Sequence, residues 1–401
     1  MRRYWSILAG FLICTQAFLA CNDTASSPAA IEIGEPAKVD TASQNAVTED
    51  CCELRFILEE DGITSSNLYL NYPADSFLTK FEVGDIVTVA IVGYDTLEMP
   101  VVEYTNDVPI AWHLLSAIKG SENLTLATYY GSIAEILGIS EITDPIDVIV
   151  NIKEKGGYLL GIDIMRNAQY MGTNLENYPS LSIEDFANFR AVRTTGIGEN
   201  KLYRSSSPIY LYLGRNYYAD SLAKEAGVST FINLTDSEDN AESYSDFEST
   251  YYSTQNTVFL NLPVEFFSPS FKEGLARGFR YMIQHESPYL VHCTYGMDRT
   301  GFTIAVLEAL MGATPNEIQE DYSKSFSNYY NVVKDKQVTL NEQQVEFFKD
   351  VVLKNLQSVY HAEGVNVPNT TDADWATATE MYLEKIGMTQ EEVYALKDRL
   401  K

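Results

Sequence analysis

The chain has 401 residues, enough for two domains that each bury a core. Its formal net charge is −28, from 56 Asp and Glu against 28 Lys and Arg. That excludes a general nucleic-acid binder, which needs a basic surface to displace counterions, and any anionic ligand must be held by a local site against an unfavourable overall field.

Met1-Arg2-Arg3 is positive, and the apolar stretch after it is too short and too interrupted to span a membrane. The pattern predicts a signal peptide over 1–21. Its end, Phe18 to Cys21, places a small residue before a cysteine and resembles the lipobox of bacterial lipoprotein signals, with Phe18 in place of the usual Leu. That resemblance implies lipidation at Cys21; the alternative is an ordinary cleaved leader. Either way export is expected, with a membrane engaged only through an N-terminal lipid anchor. The location would be the outer side of the cytoplasmic membrane, or the outer membrane and periplasm. Residues 22–49 are small and polar with two prolines, a flexible linker.

Of five cysteines, Cys14 would leave with the leader and Cys21 would carry lipid, which leaves Cys51, Cys52 and Cys293. Adjacent cysteines bridge only with strained geometry, so a disulfide scaffold is not expected. His113, His285, His292 and His361 are scattered, with no metal-ligand spacing. Neither a metal nor a cofactor is expected.

Over 50–166 the runs ELRFILEE, DIVTVAIVGY and DVIVNIKEKGGYLLGI are rich in β-branched and aromatic residues and carry Gly-Asp and Gly-Gly turn signals. They predict a small β-rich accessory domain, with one helix near Ile110–Gly120. Part of this region resembles the β-barrel accessory domain of S-adenosylmethionine hydroxide adenosyltransferases over about eighty residues. The catalytic domain of that family has no counterpart here, and no activity or residue is carried over.

Over 167–401 the pattern changes. Ser229–Leu234, Thr257–Pro263 and Pro288–Cys293 are short apolar runs suited to buried strands, and helical patterns separate or follow them. Strands alternating with helices predict an α/β fold with a parallel sheet, which binds ligands at the carboxyl ends of its strands. Cys293 stands at such an end, and a helix pattern starts near Arg299.

A strand-to-helix loop offers backbone N–H groups, and the helix dipole adds positive potential: a cradle for a tetrahedral dianion. Arg299 adds a bidentate fork to two anion oxygens. The same field stabilises a thiolate beneath it. Gly296 tolerates unusual dihedrals, and Gly301 lets the helix start pack tightly against the sheet. Together these residues read as a nucleophilic phosphoryl-transfer site.

The string HCTYGMDRTG (His292–Gly301) resembles the signature loop of cysteine-dependent protein tyrosine phosphatases. More narrowly it is similar to the bacterial branch with HCxxGKDRTG, which includes secreted tyrosine phosphatases and lipid phosphatases. NFRAV (Asn188–Val192), LYRSSS (Leu202–Ser207), EDYSKS (Glu320–Ser325) and Met381–Leu400 add weaker likenesses, so the resemblance covers about 188–401.

The resemblance implies that Cys293 attacks phosphorus, forming a cysteinyl-phosphate, while Arg299 and the amides of Thr294 through Arg299 hold the phosphoryl group. His292 would order the loop, and Thr300 would ease hydrolysis of the intermediate. His292, Thr294, Tyr295, Gly296, Met297 and Gly301 are the expected substrate-binding residues. Asp298 is the first candidate for the general acid and Asp236 the second, though a turn aspartate fits Asp236 equally well. Met297 stands where the branch often has Lys, Thr235 where it has Arg, and Asn233 where it has Asp. Arg190 and Arg204 either add positive potential or serve as structural ion-pair partners.

The expected partner is a phosphorylated peptide or a small phosphomonoester, phosphotyrosine first. Three alternatives stay open: an inositol-phosphate or phosphoinositide phosphatase, a non-catalytic phosphate-binding surface lipoprotein, and a lipoprotein whose β domain carries the function.

Overall fold

The computed structural model describes residues 53–59, 62, 66–167, 173–329, 332–333, 336–337, 340–367 and 374–401. The expected leader, linker, lipidation site and Cys51-Cys52 pair lie outside them. The fold is α/β, with a mostly parallel sheet preceded by a mostly β part.

The first sheet has seven strands: β1 (Glu53–Leu58), β2 (Leu68–Leu70), β3 (Ile86–Ile91), β4 (Thr96–Val102), β5 (His113–Ser116), β6 (Leu124–Thr128) and β7 (Ile146–Glu154), in the order β1-β7-β3-β4-β5-β6-β2. All neighbours are antiparallel except β4 and β5. Alternating residues such as Val87, Val89 and Ile91 on β3 bury one face.

Two expectations fail here. The helix near Ile110–Gly120 is instead strand β5: Leu114, Leu115 and Ser116 are consecutively buried, so the run lacks the alternation that marks a half-exposed strand. The run from Asp147 onward is a strand only to Glu154. It turns over Gly156-Gly157 and continues as the helix Leu159–Asn167.

The second sheet comprises β8 (Arg190–Ala191), β9 (Leu202–Ser205), β10 (Thr230–Asn233), β11 (Asn256–Phe259) and β12 (Tyr289–His292), in the order β11-β10-β12-β9-β8. Only the edge strand β8 is antiparallel. Strand β12 is central and fully buried, with His292 in register with Asn233 on β10 and Ser205 on β9. The carboxyl ends of three parallel strands therefore converge beside Cys293.

After a five-residue loop the chain enters the helix Asp298–Met311, in which every residue from Thr300 to Met311 is buried. A helix that is apolar on all sides belongs inside the protein. It lies against β12 and the helices Pro315–Ser327, Glu342–Ala362 and Trp375–Lys385. Gly312, at φ 88°, ends it with a left-handed cap. Ala111 of the β part belongs to the same buried cluster as Cys293, Met297 and Phe302, with Trp112 packed against it.

Candidate active site

Cys293 is a free thiol only 3% exposed, at the floor of the loop 293–297. The loop's shape is set by what holds its carbonyls. The Thr294 carbonyl accepts from the Ser207 amide at 3.1 Å. The Tyr295 carbonyl accepts from Asn188 Nδ2 at 3.2 Å and from the Tyr329 hydroxyl at 2.7 Å. The Gly296 carbonyl accepts from Asn188 Nδ2 at 3.1 Å and from Arg204 Nη2 at 2.9 Å.

A trans peptide points its N–H opposite its C=O. Three successive carbonyls drawn outward therefore turn the amides of Tyr295, Gly296 and Met297 to the inner face. Gly296 makes this possible. Its φ is +70°, and a Cβ there would stand 2.2 Å from the Ser205 carbonyl oxygen. No side chain caps the helix that follows, so its positive end also faces the cradle.

Arg299 is anchored by one donor, Nη1, to the Leu262 carbonyl at 2.8 Å. Its other donors make no hydrogen bond to the described residues. Thr300 is fully buried, and its Oγ1 has no hydrogen-bond partner among them. Both groups keep polar hydrogens in reserve beside the thiol.

Asp298 is half-buried at the helix start. Burial pushes its carboxyl up to about 6, against the lowering effect of Arg299. Asp236 is differently placed: its oxygens accept from Asn233 Nδ2 at 3.1 Å and the Tyr244 hydroxyl at 3.0 Å. It is built into the turn after β10, which touches the loop through Thr235 Oγ1 and Thr294 Oγ1 at 3.5 Å.

His292 is wholly buried, and its Nε2 lies 3.2 Å from the Tyr252 hydroxyl, which also accepts from Asn233. Burial, and secondarily Arg299, push the imidazole down to about 3, although the Cys293 backbone opposes this. The ring is therefore neutral near pH 7 and braces the loop from behind rather than touching substrate. Met297 is likewise 0% exposed, so only its backbone reaches the cradle and its side chain packs into the core. Gly301 is close-packed, as expected, but against the Tyr322 ring rather than the sheet: a Cβ would lie 2.5 Å from that ring.

Arg190 and Arg204 are structural ion-pair partners. Arg190 Nε meets Asp321 Oδ1 at 2.7 Å, and Arg204 Nη1 meets Asp321 Oδ2. Arg190 Nη1 also donates to Asn188 Oδ1 at 2.8 Å, fixing the residue that grips two loop carbonyls. A third arginine, Arg215, fully buried, donates to the Phe186 carbonyl and lies 3.8 Å from the Tyr329 ring centroid. Sequence reasoning gave no role to Asn188, Arg215, Asp321 or Tyr329. Asn188 and Asp321 fall within the strings NFRAV and EDYSKS, but apart from Arg190 beside Asn188 the groups these residues hold lie more than 25 positions away.

A cleft of about 1120 Å³ lies elsewhere, lined by Trp112, Tyr158, Phe347 and His361 and by none of the loop residues. Among the described residues no group of His, Cys, Asp and Glu is placed to hold a metal ion, and no helix is long and apolar enough to cross a membrane.

No curated protein matches the chain. Solved structures similar to parts of it include an uncharacterized conserved protein from Thermotoga maritima, at 23% identity and TM-score 0.20, covering 24% of this chain and 34% of the other. The chain thus spans about a third of that protein's length. Another is the core catalytic domain of the PP-IP phosphatase SIW14 from S. cerevisiae in complex with citrate, at 18% identity and TM-score 0.24, covering 40% and 83%. A third is a P. aeruginosa TpbA variant in complex with pTyr, at 15% identity and TM-score 0.26, covering 43% and 94%. The sequence profile of the tyrosine phosphatase family matches residues 181–401, more than half of the chain. With that match spanning the loop and every element that braces it, the chain belongs to the tyrosine phosphatase family.

Proposed function

We propose that this phosphatase hydrolyses phosphotyrosine through a cysteinyl-phosphate on Cys293. The sulfur attacks phosphorus as the phosphorus–oxygen ester bond breaks, and Asp298 gives its proton to the leaving phenolate oxygen. Arg299 and the inward amides hold the three equatorial oxygens. Water then attacks phosphorus and gives a proton to the Asp298 carboxylate, the sulfur–phosphorus bond breaks with sulfur leaving as thiolate, and orthophosphate departs. The unpartnered Thr300 hydroxyl supports a role beside the departing sulfur.

The observation that carries phosphotyrosine is the depth of the nucleophile. At 3% exposure Cys293 lies below the surface, which favours a phosphate carried on a long, slim group such as a phenyl ring over one on a serine methylene. Against the inositide alternative stand the neighbouring arginines. Arg190, Arg204 and Arg215 are committed to Asp321 and to backbone carbonyls, so they are not offered to further phosphates.

Turnover of a phosphotyrosine peptide should exceed that of inositol hexakisphosphate by at least about tenfold in kcat/KM, a gap of about 1.4 kcal/mol. The reverse order would sink this reading.

Asp298 supplies a second test. An acid must be protonated to donate, and this carboxyl loses its proton near pH 6. Hydrolysis of esters with poor leaving groups should therefore fall about tenfold per pH unit above that value. Asp298→Asn should remove this limb and lower kcat on phosphotyrosine by about 10²-fold, with a smaller loss on activated aryl phosphates. Equal losses on both substrate types would remove the acid role.

The same proposal divides the chain into a leader (1–21), a linker (22–49), a β-rich accessory domain (50–166) and the catalytic domain (167–401), exported and anchored through lipid on Cys21. The basic, apolar and Ala-Cys pattern of the leader supports it. Release of the protein into the soluble fraction by Cys21→Ala would be the signature of that anchor.

A further inference from the structure

We infer that the β-rich part completes the catalytic pocket, with Tyr129 and Tyr130 forming an aromatic lip that holds the substrate's aryl ring on the Asp298 side. The inference rests on the phosphotyrosine reading above and goes beyond it by assigning the specificity contact to residues outside the phosphatase sheet.

Four observations carry it. First, the tip that follows β6 reaches the segment gripping the catalytic arginine. A Cβ on Gly131 would lie 3.3 Å from the Phe267 ring, and the His113 ring is 6.2 Å from the same phenylalanine. Phe267 follows closely on Leu262, whose carbonyl holds Arg299. Second, the tip is fixed. The Ala111 N–H donates to the Tyr129 carbonyl at 2.8 Å, the Tyr129 N–H donates to the Trp112 carbonyl at 3.0 Å, and Ala111 is buried in the core that contains Cys293.

Third, the backbone is bent unusually to present the rings. Ala111 and Tyr130 have φ of 70° and 54°, a left-handed conformation that side chains other than glycine rarely adopt and that collects at ligand clamps. The Tyr129 and Tyr130 centroids are 4.7 Å apart, yet Tyr130 remains 47% exposed. A large ring held in a strained turn and left about half in water adds little to the core. Fourth, the field of Asp298 reaches Tyr129. The Tyr129 phenol is raised above its ordinary value by burial, then by Tyr130, then by the charge of Asp298. Tyr295 on the loop is raised by burial, with Asp298 and Cys293 among the further causes. The charge of Asp298 is thus felt by phenols from both parts of the chain.

A ring entering between them would gain offset or edge contacts. Tyr130→Asn in the full chain is the test, because asparagine accepts a left-handed backbone and keeps the turn. The readout is the ratio of kcat/KM on phosphotyrosine to that on phosphoserine, which should fall about three- to tenfold. Tyr130→Phe, which keeps the ring, should retain the ratio. In a Cys293→Ser background the same change should weaken phosphotyrosine binding by the same factor and leave orthophosphate binding as it was. If the parent protein prefers phosphotyrosine and Tyr130→Asn leaves the ratio intact, the lip is wrong and the phosphotyrosine reading stands. If the parent shows no such preference, both fall.

Discussion

Cys293→Ser should lower kcat on phosphotyrosine by about 10⁴-fold or more, because no other group is placed to form the covalent intermediate. The fold should survive. The residue is 3% exposed at the carboxyl end of β12, and serine fits the same space with a hydroxyl that the inward amides can satisfy. The melting temperature should stay within about 4 °C of the parent. Tungstate should still bind, since Arg299 and the loop amides that hold it are untouched. Turnover that persists in this variant would remove Cys293 from the mechanism. Lost turnover together with lost tungstate binding would mean that the loop had collapsed, and vanished activity would then say nothing about the nucleophile.

The centre of this site was legible because its chemistry is local. A nucleophile, a flexible glycine and a guanidinium must lie on one tight loop between a strand and a helix, so the seven consecutive residues Cys293–Arg299 carry the signal. The helix Asp298–Met311 was legible for a related reason: a run of apolar residues on every face has nowhere to go but the interior. Strand β5 failed the same kind of reading. Its consecutive buried residues look alike in a helix and in a doubly covered strand, and only its pairing with β4 and β6 decides between them.

The bracing of the loop was not legible at all. Asn188 grips carbonyls 107 and 108 positions away, and Arg204 reaches Gly296 across 92. Such contacts depend on which strand ends lie side by side, a property of sheet order rather than of any short string. Arg190 and Arg204 could be singled out as cations near the site. That Asp321 neutralises both follows only from the packing of the helix Pro315–Ser327 over the sheet. The aromatic lip was equally hidden, because Tyr129 and Tyr130 come from the other sheet.

Asp321→Asn should produce the largest loss of stability. Asp321 stands between Arg190 and the fully buried Arg204, and its removal takes away the carboxylate that pairs with both guanidinium groups, leaving only the buried Glu308 carboxyl to offset them. Breaking a buried pair from one side costs about 3–5 kcal/mol, measurable as a lower urea midpoint at pH 7. Acid should reveal the same carboxylate. Burial alone would raise it, but the charges of Arg190 and Arg204 outweigh burial and hold it at about 2, below its ordinary 3.8. A carboxyl depressed in the folded state stabilises fully above its unfolded value and loses that contribution as pH falls through its folded value. About 2 kcal/mol should therefore disappear between roughly pH 4 and pH 2 in the parent and not in Asp321→Asn. The triple variant Arg190→Met, Arg204→Met and Asp321→Leu, which removes all three charges of the unit, separates stability from catalysis. Apolar replacement of a buried pair often restores stability, yet it cannot restore the Arg204 donor to the Gly296 carbonyl. Recovery of the urea midpoint with kcat still depressed is the expected result. Recovery of both would mean that Asn188 alone suffices to hold the Gly296 carbonyl outward.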